Sequence, residues 1–480
     1  MLKLQQTSPQ DVWKVLRKSK PAYTKAIPPL QGLDSFEDKC QILRSALFPP
    51  PTPGIDIPNL QEPKADLRNS TRNISSSEIC LAIKKCNRNA ACGYDKIPYL
   101  VIEKAHNCRP DLLTSLFQSC MKYTYFPLIW KHANCIVVPK GGKRDPHAPN
   151  SYRPISLLSN ISKVFEKIAA KRIADAAIQV GALCNTQFGA IENRSAIDAL
   201  FAITHPASEV LGVRIWPGKA RPDRPTFLAN DIRGAFNNTD PVRLARIMEA
   251  RQMPTYLTKW VQSFTSNRTL SFCFDNNSET PQPFNSGLPQ GSPTSPVLFL
   301  IYAQALLEAT NTDKVKDISY LDDDGALQLS TTQQLAIQTL QERFEQRLER
   351  AEQLNLPYDL GKSGLIHFWT QRNKHRPDDP TSQPSIMING TAIQPSKTIK
   401  HLGVYLDETL TFHAHTDDAA ARGDKCLMSL TSLRHNGRGL STYTALHLVR
   451  TAFLPKMLWA SPVWWTGSQH ILHGLNPVYH

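Results

Sequence analysis

At 480 residues and 41% hydrophobic composition, the chain can bury a sizeable core and build several lobes, which excludes a disordered polymer. Lys and Arg number 55 against 41 acidic residues, and the balance of +14 suits a polyanionic partner, nucleic acid ahead of a membrane surface. No apolar run approaches the roughly 20 residues that span a bilayer, and the start MLKLQQTSPQ lacks a signal core or an Arg-rich transit pattern, so the expected location is intracellular, in nucleus or cytoplasm, with the mitochondrion also compatible.

Residues 1–73 combine a helical stretch, DVWKVLRKS, with a Pro-rich connector, FPPPTPGIDIPN, and read as a flank. From Ile74 the pattern changes. ISSSEICLAIKKC has a Ser three residues before Glu78 and then apolar positions at helical spacing, so a compact domain is expected to begin there. WKHANCIVVPKGGKRDPHAPNSYRPISLLSNISKVFEKIAAKRI predicts a short apolar strand, a basic Gly-containing loop and a helix over 164–173. Segment 205–225 is Pro- and charge-rich and is expected as an exposed insertion. PTFLANDIRGAFNNTDPVRLARIM then places an apolar strand before Asp231 and a helix behind it.

SGLPQGSPTSPVLF (286–299) predicts a Gly-rich turn and a helix from about Pro296. VKDISYL and GALQLS read as two strands joined through Asp322, Asp323 and Asp324, with Gly325 giving the corner its freedom and the acids at an exposed tip. Residues 333–355 form the clearest amphipathic helix, with Leu340, Phe344, Leu348 and Ala351 on one stripe and the charged face expected in solvent. Two lobes of strands and helices joined by such loops imply an α+β class. The ten cysteines include no CxxC pair and are expected as reduced thiols.

Adjacent unit charges repel by about 4 kcal/mol at 4 Å if the effective dielectric is near 20, so folding alone gives no reason to cluster three aspartates. A solvated acidic turn is one reading. A bound divalent cation is the other: Mg²⁺ keeps waters and substrate phosphates in its shell and needs only two or three protein carboxylates. Asp231, also at the end of an apolar strand, is placed to supply the third.

These blocks carry a resemblance. YLDD (320–323) is similar to the Tyr-X-Asp-Asp box of reverse transcriptases, DIRGAF (231–236) to their first catalytic block, and SGLPQGSPTSPVLF to their third. VPKGGKRD, YRPISLLSNISKVFEK, TQFGAIENRSAIDAL, HLGVYLDETLTF and LPKMLWASPVWW follow the order found in polymerases of non-LTR (LINE-type) retrotransposons, over roughly residues 74–466. The resemblance implies a right-hand polymerase with fingers, palm and thumb, its antiparallel palm sheet flanked by helices. Fingers and palm would occupy 74–407, with core motifs from about 130, and a helical thumb 408–480. It would copy an RNA template into DNA from a DNA primer and dNTPs, with no membrane partner; oligomeric state is left open.

By the same resemblance, Asp231, Asp322 and Asp323 hold two Mg²⁺ ions, with Mn²⁺ as an alternative. The competing register uses Asp323 and Asp324, but the family spacing counts from Tyr320. Gln290 and Gly291 approach nucleotide and template, or else form a turn and helix start without a ligand. Lys140 and Arg153 match contacts to the triphosphate, against a plain surface role for each. Lys362, in LGKSGLIHF, matches a lysine that protonates pyrophosphate, against a merely solvated one. Phe236 matches an aromatic that excludes a 2′-hydroxyl, against ordinary core packing.

The departures are Asn237, where the family shows a second acid, and CGYDK (92–96), where it shows PGPDG. No endonuclease precedes residue 74, no RNase H pattern follows, and no Cys/His cluster suggests a zinc knuckle, so a truncated element is expected. The alternative function is an inactive nucleic-acid-binding relic. An RNA-copying RNA polymerase would share the carboxylates but lack both the PQG block and the aromatic at 236.

Overall fold

The computed structural model describes residues 26–50, 57, 58, 60–70, 73–141, 144–212, 224–284, 286–308, 315–370, 379–431 and 441–465. Helix α1 (Phe36–Leu47) starts where Ser35 accepts a hydrogen bond from the Asp38 amide. Its Leu43 and Leu47 join Leu30, Cys135, Val137, Leu270 and Phe272 in one buried cluster, so the described part of the segment expected as a flank is built into a core. The DVWKVLRKS stretch and residues 51–56 and 59 of the connector lie outside the described residues.

Helix α2 (Ser76–Lys84) has the expected capping box, Ser75 and Glu78 each bonding the other's backbone amide. It packs with α3 (Tyr99–Cys108) and α4 (Pro110–Lys122) against α5 (Asn160–Gln179). Between α4 and α5, β1 (His132–Pro139) pairs antiparallel with β2 (Tyr152–Leu157), a second strand beyond the one that the sequence predicts there.

Helix α6 (Ala196–Gly212) continues through Pro206 and buries Ala207. Residues 205–212 of the expected insertion are therefore helix, and 213–223 lie outside the described residues. The stripe Ala199, Leu200, Ile203 and Ala207 is buried against a sheet, which outweighs the backbone bond lost at Pro206. Strand β3 (Arg224–Asp231) is followed by a single helical turn, Ala235–Asn238, then α7 (Pro241–Ala250) and α8 (Thr255–Thr265). β4 (Arg268–Phe274), β5 (Asn277–Ser278) and β6 (Gln282–Phe284) complete a first sheet of order β2-β1-β4-β5, with β6 also on β4; β1 and β4 run parallel.

Helix α9 (Ser295–Ala303) buries every residue except Pro296, as an interior helix should. After it come β7 (Val315–Tyr320), β8 (Asp323–Ser330), α10 (Gln333–Leu354) and β9 (Gly364–His367). The second sheet has the order β7-β8-β3-β9 and every pair is antiparallel. Successive side chains alternate faces. Leu228, Ala326 and Leu365 pack with Leu340 and Phe344 of α10. Phe227, Leu327 and Ile366 pack with α6 and with the C-terminal part, including Trp464. TQFG abuts the outer edge of β7, Phe188 N–H donating to Ser319 O at 2.8 Å. Helix α11 (His413–Thr431) and the short helices up to Trp464 follow; 432–440, most of RHNGRGLS, lie outside the described residues.

Two expectations at the hairpin are corrected. The corner is Leu321–Asp322, with the positive φ on Leu321, while Gly325 sits inside β8 opposite Ala229. A Cβ on Gly325 would come within 2.6 Å of the Phe227 ring, so close approach and not turn geometry requires glycine. The acids are also graded, not all at an exposed tip: Asp322 is exposed, Asp323 half-buried and Asp324 buried. On α10 the charged face is not all solvent, because Arg343 and Arg347 are buried against Asp317 and Asp324. Among the described residues no helix is long and apolar enough to cross a membrane.

Candidate active site

Register brings two of the predicted acids together. Asp231, last in β3, lies opposite Asp323, first in β8. The Ile232 amide donates to Asp322 O at 3.0 Å, which fastens the hairpin turn beside the end of β3. Strand alternation sends Asp324 to the opposite face, with Asn230, where Tyr358 donates to it at 2.8 Å and Arg347 lies 3.4 Å away.

Asp322 keeps an exposed side chain, but enough protein surrounds it that burial, and next the charge of Asp231, raise its pKa above the ordinary carboxylate value. Asp323 is pushed up to about 7, by burial first and then by Asp322, Asp231 and Asp324. Both shifts express like charges held in a small space. Lys362 comes from the turn Leu360–Lys362 and donates to Asp231 at 2.5 Å and lies 3.3 Å from Asp359. Burial pulls its ammonium down, yet these bonds outweigh that and hold its pKa above the usual lysine value.

Among the described residues no three His, Cys, Asp or Glu side chains stand ready to enclose an ion. The donor chemistry of Asp231, Asp322 and Asp323 nevertheless fits a hard divalent cation: oxygen ligands only, on converging strand ends, whose mutual repulsion a cation reverses.

A cavity of about 340 Å³ opens beside these acids, and Lys140, Arg153, Phe236, Gln290, Gly291 and Asp322 all line it. Lys140 follows β1 and is tied to the β2 approach, its amide donating to Ser151 O at 2.8 Å and its ammonium to Asn150 O at 2.9 Å. Burial, then the cations Arg144, Arg153 and Lys362, lower its pKa. Gly291 has φ +127° and a Cβ there would meet Ser156 O at 2.5 Å. Gln290 donates to Asn237 at 2.8 Å, so the residue that departs from the family's acid holds the PQG turn. Phe236 is half-buried, 5.6 Å from the Phe299 ring centre, and serves packing while one edge reaches the cavity.

Sequence reasoning missed Leu47 and Tyr152 on the cavity wall, and Glu166 beneath it, which accepts hydrogen bonds from Ser162 at 2.9 Å and from Ser292. For Leu47 the sequence carried no signal. For the buried ions beneath the hairpin it did: Arg343 and Arg347 flank Phe344 within the apolar stripe of α10.

A family model described as reverse transcriptase (RNA-dependent DNA polymerase) matches residues 138–406. The Pol polyprotein of a type-1 retrotransposable element R1 of Bradysia coprophila is 23% identical over 90% of this chain and 41% of its own length. RNA-directed DNA polymerase from mobile element jockey of Drosophila melanogaster is 27% identical over 71% and 36%, and the probable polymerase from transposon X-element of the same species 24% over 81% and 41%. The chain thus spans about two fifths of the length of these curated relatives. The matched stretch runs from the end of β1 to the strand before α11, takes in all nine predicted site residues, and is more than half of the 480 residues: the chain belongs to the reverse transcriptase family.

Proposed function

We propose that the protein is an RNA-directed DNA polymerase of a retrotransposon, extending a DNA primer 3′-hydroxyl with dNTPs along an RNA template. The observation that carries this reading is the single cavity shared by an acid of the β7–β8 turn, two cations, the PQG turn and Phe236, next to the register pair Asp231 and Asp323. In that reading the second sheet is the palm, the first sheet with α2–α5 the fingers, within 74–407, and the helices from 408 the thumb.

Asp231, Asp322 and Asp323 would hold two Mg²⁺ ions. Bound there, the metal lowers the pKa of the primer hydroxyl and neutralises phosphate charge. Lys140 and Arg153 take the triphosphate, the guanidinium in two-point contact and the ammonium as a point charge. In this reading Lys362, an ammonium hydrogen-bonded to Asp231, gives a proton to leaving pyrophosphate once that bond opens. Phe236, on the cavity wall, excludes a 2′-hydroxyl in the same reading, and the +14 balance suits a polyanionic duplex.

Primer extension on a primed RNA template with Mg²⁺ and dNTPs tests the proposal, with Asp322→Asn as the control. Extension by the wild type alone supports it. Template-primer binding that weakens with salt but never leads to extension identifies the alternative, a nucleic-acid-binding relic.

A further inference from the structure

The third aspartate of the run, Asp324, has no role in that chemistry. It is 1% exposed, Asp317 is 0% and Arg347 is 1%, so all three ions are desolvated. Asp324 is the register partner of Ser319, two residues along β7 from Asp317, so both acids lie on the α10 face of the hairpin. From α10, Arg347 reaches Asp317 with one nitrogen and Asp324 with the other, and Arg343 meets Asp317 at 2.5 Å. Tyr358, whose backbone bridges to Ile232 next to Asp231, donates to Asp324 at 2.8 Å. One guanidinium thus ties both strands of the hairpin directly behind the turn that presents Asp322 and Asp323.

Stability alone is a poor reason for such a cluster. Replacing a buried ion network with apolar side chains of similar volume is often neutral or stabilising, whereas a planar two-armed cation fixes the relative position of two acids. We propose that Arg347 is a positioning residue, which sets the offset of β7 against β8 through Asp317 and Asp324 and so the spacing of the carboxylates that receive the metal. The proposal rests on the polymerase reading.

Charge and position act with opposite signs. Deleting a positive charge behind three carboxylates favours a cation; deleting a brace scatters its ligands. Primer extension by the full chain, titrated with Mg²⁺, separates the two. For Arg347→Met we expect a Mg²⁺ requirement raised about tenfold and kcat lowered roughly 10- to 100-fold, with template-primer binding kept. Arg347→Lys, which keeps the charge but not the fork, should fall between that variant and wild type while melting within a few degrees of it. A folded Arg347→Met with wild-type kcat and an equal or lower Mg²⁺ requirement overturns the proposal. Should that variant fail to fold, Arg347→Lys decides, and wild-type kcat and Mg²⁺ dependence in it overturn the proposal. Loss of extension in Asp322→Asn beside full activity in the Arg347 variants sinks the brace and spares the polymerase; a wild type that extends nothing sinks both.

Discussion

Asp231 and Asp323 face each other as a register pair at the ends of β3 and β8, backed by a sheet whose other face carries the buried Arg347–Asp317–Asp324 ions. Across the cavity, Lys140 stands just past β1 and Arg153 is an exposed residue of β2, with Lys140 held by two hydrogen bonds to the stretch before β2. The acids are constrained by strand pairing and desolvated charge, while Arg153 keeps the freedom of a long exposed side chain and the Lys140 ammonium is held by one hydrogen bond to a loop carbonyl. A metal site needs ligands fixed within tenths of an ångström, whereas a flexible triphosphate can be met by side chains that adjust. The second sheet should therefore govern kcat and the first sheet KM.

The strongest way to break the second side is to change its ligands. Asp322→Asn or Asp323→Asn should lower extension by about a thousandfold or more with template-primer binding nearly unchanged, because under the proposed reading each removes a metal ligand at constant volume. Retained turnover in steady-state assays would contradict the assignment. Lys140→Ala or Arg153→Ala should instead raise KM for dNTP about tenfold and alter kcat less, the signature of lost ground-state binding. An equal fall in kcat at constant KM would erase the contrast between the sheets.

Phe236 lies between the two sides, on the turn after Asp231. Phe236→Val should raise ribonucleotide incorporation on the order of tenfold, equivalent to about 1.4 kcal/mol of lost discrimination. Pure packing predicts a different result, a lower melting temperature with unchanged sugar selectivity. Matched single-nucleotide extension with dNTP and rNTP, alongside a melting curve, distinguishes them.

The smallest effect expected is at Glu166, which holds the PQG turn through Ser292 from within α5. Burial raises its pKa above the ordinary carboxylate value. The folded state thus holds this proton more tightly than the unfolded chain, and its contribution to stability declines as pH rises from the usual carboxylate range through the raised value. Glu166→Gln mimics the protonated side chain, so it should match wild type at low pH and melt higher, by a few degrees, at high pH. Parallel melting curves for the two proteins across that range would remove the effect.

Much of this was legible from residue order alone. The capping box at Ser75, the strand before Asp231, the helix from Pro296 and the apolar stripe of α10 follow from periods of two and 3.6 and from backbone chemistry, which are local. The nine residues expected at the site came from ordered blocks, and six of them line one cavity. Segment 205–212 was misread because Pro206 and its charged neighbours signal a loop locally, while the burial of Ala207 that keeps it helical comes from a sheet formed by later residues. Gly325 was assigned to a corner for the same reason, since the Phe227 ring that excludes a side chain arrives from 98 positions earlier in the chain.

Sequence by itself determined that an acidic run would lie at the junction between two strands and that a further acid would end an apolar strand, because strand and turn propensities act over a few residues. Only the tertiary structure decided which acids share a face. Pairing Asp231 with Asp323 and covering the opposite face with α10 turns Asp324 inward to Arg347, and a shift of one residue in register would exchange their roles.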